Sequence, residues 1–145
     1  VLPGGGFYAV ATDLEGTEIC DWVVEQGMTC IILKYRTPQV WAKKDGEGQR
    51  PEVLLGLEDA QRAMGLLRER ASDYGIDPHK IGVIGFSAGA YLAINISNTD
   101  VRTYAPTDDA DQRSPRPDFA IVAYTGRVWD PSKGRNRLEL APWVG

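Results

Sequence analysis

Lys80 to Phe86 reads KIGVIGF, and Ala88 to Ser97 reads AGAYLAINIS, with Ser87 between them. The first segment is a short apolar run with β-branched side chains, the pattern of a strand buried on both faces of a parallel sheet. The second has the length and small side chains of a helix. Gly85-Phe86-Ser87-Ala88-Gly89 is therefore a G-x-S-x-G pentapeptide at a strand-to-helix junction. A sharp turn there strains the serine backbone and lifts its hydroxyl clear of the sheet. Glycines two before and two after the serine remove side chains that would collide where strand and helix approach most closely. The first free amides of the helix, Ala88 among them, point toward an oxyanion formed at the atom the serine attacks. Ser87 is the candidate nucleophile, and Ala88 a candidate oxyanion donor.

Working toward the N-terminus, Val53, Leu57, Ala60, Met64, Leu67 and Ala71 step by three and four residues. This predicts an amphipathic helix over Pro51 to Tyr74, begun by Pro51 and ended by Gly75. Trp41 to Arg50 is polar and reads as a loop. Met28 to Tyr35, MTCIILKY, predicts another strand buried on both faces, ending at Arg36 before Pro38. Thr12 to Gln26 predicts a helix in which Thr12 and Glu15 have capping-box spacing, Ile19, Trp22 and Val23 share a face, and Gly27 is the stop. Val1 to Phe7, VLPGGGF, reads as the end of a strand running into a glycine loop. In Pro3-Gly4-Gly5-Gly6, backbone amides can turn inward without side-chain obstruction.

Toward the C-terminus, Asn98 to Pro117 is a polar excursion holding three of the chain's nine prolines, expected to shape a surface or a lid. Phe119 to Thr125, FAIVAYT, predicts a third apolar strand. The remainder reads as irregular, with Lys133, Arg135 and Arg137 a solvated basic cluster. Strands alternating with helices give the α/β class, with a mostly parallel sheet and helices on both faces.

The 145 residues, 43% hydrophobic and 25% charged, are the composition of one ordered domain. Twenty acidic against sixteen basic residues leave a formal charge of -4, which argues against a nucleic-acid partner. No apolar run approaches the roughly 20 residues that span a bilayer. The chain starts at Val1 without a charged leader, so the true N-terminus is expected to be missing. Cys20 and Cys30 are too few for a disulfide scaffold, lack metal-ligand spacing and leave the redox compartment open.

These motifs resemble those of the α/β-hydrolase superfamily, in particular its bacterial acetyl-esterase and xylan-esterase-like branch. The resemblance rests on GFSAG and PGGG together with DLEGTEICDW (Asp13 to Trp22), LKYR (Leu33 to Arg36), LEDAQRA (Leu57 to Ala63), IDPHKIGVIGFSAG (Ile76 to Gly89) and LAP (Leu140 to Pro142). Proline stands where esterases and lipases often have the histidine of HGGG, and Ala90 where relatives often have glycine. The resemblance implies that Gly5 and Gly6 join Ala88 in the oxyanion hole, and that Ser87 hydrolyses short-chain acyl esters, acetyl-type and of carbohydrates, through an acyl-enzyme. It implies no metal or organic cofactor, and a soluble, secreted or periplasmic protein. A prolyl-oligopeptidase-like peptidase and a catalytically incomplete remnant or binding domain are the alternatives.

The family order Ser, Asp, His places the acid and base beyond Gly145. His79, the single histidine, precedes the strand that Ser87 follows, about 26 Å away at roughly 3.3 Å per residue, and cannot be its base. Asp130 follows the third strand and is a possible acid; Asp118 lies at the wrong edge. In the family, the strand ending in PGGG lies between the KYR and GFS strands, and only Val1 and Leu2 of it are present. The chain is accordingly expected to be the middle of a longer hydrolase, completed by a complementary segment or by a homo-oligomer. Tyr35 and Arg36 fall at the catalytic edge, the arginine as a buttress, while Trp41 and Trp129 are loop aromatics that pack or line a pocket.

Overall fold

The computed structural model describes residues 1–37, 52–125, 129–130 and 135–136. The first helical stretch has two parts, a π-helical turn over Asp13–Thr17 and helix α1 (Glu18–Glu25). The expected capping box does not form. The Thr12 side chain caps nothing, and the Glu15 carboxylate accepts instead from the Gly4 N–H at 2.6 Å. Gly27 does stop the helix: at φ 77° its N–H bonds Val24 O at 2.9 Å, and the Met28 N–H bonds Val23 O at 3.3 Å. Those are the two bonds of a left-handed helix terminus.

Helix α2 (Glu52–Glu69) buries Leu57, Ala60 and Met64, the stripe its periodicity predicts, with Ala71 just beyond. Strand β1 (Gly82–Phe86) feeds helix α3 (Ala88–Ser97), and β2 (Phe119–Ala123) pairs parallel with β1, Gly82 opposite Phe119 through Phe86 opposite Ala123. On the other side of β1, the Leu2 N–H bonds Ile84 O at 2.7 Å and the Phe86 N–H bonds Leu2 O at 3.1 Å. Beyond that, the Val1 amino group donates to Ile31 O at 2.6 Å and the Leu33 N–H to Val1 O at 2.9 Å. The hydrogen-bonded order is thus 31–33, 1–2, β1, β2, and Val1 and Leu2 hold the central position that the resemblance implied.

Alternation along residues 32–35 sends Leu33 and Tyr35 into the core with Leu57, Leu92 and Leu2, while Ile32 turns to the other face, against Gly16. Helical cover therefore lies on both faces. It is unequal, however. Burial of the 28–35 segment on both faces, expected from its apolar run, is not found: Met28 is 48% and Ile31 40% exposed, and in β2 Phe119 is 51% and Ile121 50% exposed. Among the described residues, α3 packs against β1 and β2, and α2 packs beside α3 in the same core. Strand β2 stays exposed over most of its length, and the Asp13–Glu25 helical stretch reaches only the side of the sheet around Pro3 and Ile32.

The 98–117 excursion is no lid. Both ends of the Arg62 guanidinium bond Asp108 at 2.6 Å, and Arg102 donates to Gln61 O at 2.9 Å and to Asp111 O at 2.8 Å. Burial opposes ionisation of Asp111, yet bonds from Tyr104 and Thr107 hold its carboxyl well below the usual range. The excursion is pinned along the second half of α2, and Asp118 then accepts from the Ile81 N–H at 2.7 Å, at the end of β1 opposite Ser87. In the tail, expected to be irregular, β3 (Trp129–Asp130) and β4 (Arg135–Asn136) form a short antiparallel pair. The Trp41–Arg50 loop, Pro38, Pro51, Lys133, Arg137 and the Leu140–Pro142 segment fall outside the described residues.

Cys20 and Cys30, left unassigned from the sequence, form a disulfide with Cα atoms 5.3 Å apart. It ties α1 to the segment that leads to Tyr35. Closing a loop of this size restricts the unfolded chain by about 2–3 kcal/mol in the chain-entropy model. The double variant C20S/C30S of the full-length protein should lose about that much stability, read as an earlier urea midpoint with a slope no shallower than that of the wild type, since the freed unfolded chain exposes more surface.

Candidate active site

Ser87 sits at φ 49° and ψ -111°, outside the regions ordinary residues occupy, between the last residue of β1 and the first of α3. The neighbouring chain holds it there: the Ser87 N–H bonds Ala123 O at 3.1 Å, and Ser87 O receives the Tyr91 N–H at 3.1 Å. A serine in this position ordinarily caps its helix with its hydroxyl. Here the side chain makes no cap bond, so the hydroxyl is free for other work.

The pentapeptide glycines have separate tasks. A side chain at Gly85 would strike the backbone of Gly89 and Ala90, the collision expected from the sequence. One at Gly89 would strike the Leu2 and Pro3 carbonyls instead, because α3 packs closely against the central strand. A Cβ at Gly4 would lie 2.9 Å from Ser87 Cβ and 3.0 Å from Phe86 O, which places the glycine loop directly beside the serine.

Most polar groups of that loop are already engaged. Pro3 O accepts from the Tyr35 hydroxyl at 2.7 Å, Gly4 N–H donates to Glu15, Gly4 O accepts from Ala11 N–H at 3.0 Å, and Gly5 O accepts from the Tyr8 and Ala9 N–H groups at 3.0 and 3.1 Å. Among the described residues, the Gly5 and Gly6 amides donate to nothing. Gly5 at φ 129° and Gly6 at φ 64° adopt conformations that favour glycine, and a Cβ on Gly5 would also collide with Ala9 O. Two unspent amides from this loop and that of Ala88 at the start of α3 thus lie on the chain segments flanking Ser87. Donors in that arrangement can stabilise negative charge developing on an acyl oxygen.

Tyr35 and Arg36 are both braces. Tyr35 is buried, with its ring edge-on to Phe7 at 6.2 Å, and the Arg36 side chain bonds Asp59 and Glu58 of α2. His79 lies in the exposed turn before β1, where its N–H bonds Asp77 at 2.9 Å. It is at the far end of the strand from Ser87, as its position in the sequence required. The side chains of Asp130, Trp129 and Trp41 fall outside the described residues. Two residues at the site escaped the sequence reading. The spacing from Thr12 places Glu15 in a cap, and Tyr124, whose hydroxyl donates to Glu15 at 2.7 Å, carries no motif.

The BD-FAE family model matches residues 2–122, most of the chain, including the glycine loop and the Ser87 elbow. The chain belongs to the BD-FAE family. This is a family of α/β-hydrolase type, and the resemblance read from PGGG and GFSAG is borne out. Similar proteins include an acetylxylan esterase of Xylanibacter ruminicola, 29% identical over 85% of this chain and 21% of its own length. An endo-1,4-beta-xylanase B of Butyrivibrio fibrisolvens is 33% identical over 98% of this chain and 22% of its own. The crystal structure of an acetyl ester-xyloside bifunctional hydrolase from Caldicellulosiruptor lactoaceticus superposes with a TM-score of 0.69 at 29% identity, covering 88% of this chain and 43% of that one. The BD-FAE chain therefore spans about a fifth of the two curated relatives and under half of the solved structure.

Burial, followed by the nearby Glu15 charge, pushes the Tyr35 hydroxyl up to about 12 from its ordinary 10.0. A raised value means that the folded state holds this proton more tightly than the unfolded one. The stabilisation is whole below pH 10 and is lost as the pH rises to about 12. Y35F should remove that share of the alkaline loss in stability, measured as a flatter urea midpoint between pH 10 and 12. At pH 7 it should cost about 1–3 kcal/mol, because Pro3 O loses its buried donor.

Proposed function

We propose that this chain carries the nucleophile and oxyanion portion of a serine carboxylic-ester hydrolase that removes short acyl groups, acetyl foremost, from carbohydrate esters. The observation that carries the reading is Ser87, at a strained elbow with its hydroxyl unused as a cap, beside a glycine loop that keeps two amides unspent. The names of the acetylxylan esterase and of the acetyl ester-xyloside hydrolase support the acetyl and carbohydrate parts of the proposal.

In this mechanism the Ser87 hydroxyl attacks the acyl carbon and passes its proton to a histidine base outside these 145 residues. The carbonyl oxygen becomes an oxyanion held by the amides of Gly5 or Gly6 and of Ala88. Collapse breaks the bond to the alcohol, which leaves with the proton from the base. Water then repeats the sequence on the acyl-serine and releases the acid. The proposal treats residues 1–145 as one α/β-hydrolase domain whose further strands, acid and base belong to a longer chain. The Cys20–Cys30 disulfide supports an oxidising compartment, in keeping with secretion or a periplasmic location.

The test is fluorophosphonate labelling of the protein made from its complete reading frame, with peptide mapping and parallel assays on p-nitrophenyl acetate, p-nitrophenyl butyrate and aminoacyl anilides. The expected result is one adduct, at Ser87, with acetate hydrolysed faster than butyrate, anilides inert, and S87A reducing turnover by at least about 10⁴-fold. An adduct elsewhere, or full turnover by S87A, would overturn the assignment. Preference for anilides would favour a peptidase.

A further inference from the structure

We propose that Glu15 is a positioning residue for the oxyanion loop and that Tyr124 is its second anchor; this rests on the ester-hydrolase reading above. The two carboxylate oxygens are divided between two donors on opposite flanks of Ser87. Oε2 accepts from the Gly4 N–H at 2.6 Å, and Oε1 accepts from the Tyr124 hydroxyl at 2.7 Å. Gly4 lies against Ser87 Cβ, and Tyr124 directly follows Ala123, whose carbonyl receives the Ser87 N–H. A closed ring of contacts results, from Glu15 to Gly4, Ser87, Ala123, Tyr124 and back to Glu15.

Three features indicate that the ring is built for this geometry. Glu15 stands in a π-helical turn, an irregularity that recurs at functional sites, and not in the regular helix its neighbours would support. Tyr124 is held at φ 36°, unusual for an aromatic residue, with its ring tilted over Phe86 at 5.9 Å. The hydrogen bond to Glu15 also raises the Tyr124 hydroxyl above its ordinary value, so it remains a donor through neutral and mildly alkaline pH. Fixing the Gly4 N–H to a carboxylate sets the plane of the Pro3–Gly4 peptide, and with it the direction of the following Gly5 and Gly6 amides. It also withdraws Gly4 itself from oxyanion binding. A shift of about 1 Å in such donors is enough to cost on the order of 100-fold in rate.

The experiment measures kcat and KM for p-nitrophenyl acetate in the full-length protein, per Ser87 titrated with fluorophosphonate, for E15A, E15Q, Y124F and E15A/Y124F. Amide hydrogen exchange of the Pro3–Phe7 peptide is followed in parallel. Removing both acceptors in E15A should lower kcat by about 10–100-fold and leave KM within about threefold. Glutamine can accept from Gly4 and donate to Tyr124 Oη, so E15Q should recover to within about fivefold of wild type. Y124F should lose about two- to fivefold, and nothing further once Glu15 is gone, because the two act as one unit. A kcat for E15A within twofold of wild type, or equal impairment of E15A and E15Q, would overturn the proposal. Should E15A fail to fold, an unchanged kcat in Y124F would overturn it and the expected loss would support it. An inert, unlabelled wild type defeats the ester-hydrolase reading alone. Exchange then decides the role of Glu15: about tenfold faster loop exchange in Y124F or E15A supports the clasp, and unchanged exchange overturns it.

Discussion

The contact on which the site depends is the approach of α3 to the central strand, so close at Gly89 that a side chain there would meet the Leu2 and Pro3 carbonyls. That closeness fixes where the helix begins relative to the end of Leu2–Pro3. It thereby brings Ser87, two residues before Gly89, against Gly4, two residues after Leu2. The central strand is in turn held on both sides, by Ile84 and Phe86 of β1 and by Ile31 and Leu33. Serine and glycine loop meet because the sheet order and one small residue leave the chain no other packing.

What could be read in advance was whatever repeats locally. The α2 stripe from Leu57 to Met64, the bounds of α3 at Ala88 and Ser97, and the stop at Gly27 all follow from short-range spacing or from one residue's backbone preference. The direction of the elbow was legible for the same reason, since Gly85 and Gly89 announce close backbone approach even when the partner is not named. Thr12 and Glu15 show the opposite case. Their spacing is correct for a cap, but the Gly4 amide and the Tyr124 hydroxyl, far away in sequence, compete for the carboxylate and win. No local pattern reveals that competition.

The misread faces have a similar origin. An apolar run such as Met28 to Tyr35 reports that a strand can be covered, not which side the available helices reach. The excursion after Ser97 was polar and long, features of a lid, yet its charges are spent on Gln61, Arg62 and Arg68 along α2. Its composition could not distinguish a loop that crosses a site from one fastened below it. The cysteine pair likewise needed coordinates, because ten residues of separation permit a bond without requiring one.

The allocation of hydrogen bonds in the glycine loop has a consequence for recognition. Its carbonyls at Pro3, Gly4 and Gly5 all have donors, whereas the Gly5 and Gly6 amides have no acceptor among the described residues. At Gly5 and Gly6 the loop therefore offers N–H groups with no bonded acceptor among those residues. Lone pairs arriving at these two amides find protons to meet. That pair of amides suits the charged oxygens of tetrahedral boronates and phosphonates, which bring acceptors, better than an amine of equal bulk, which brings donors.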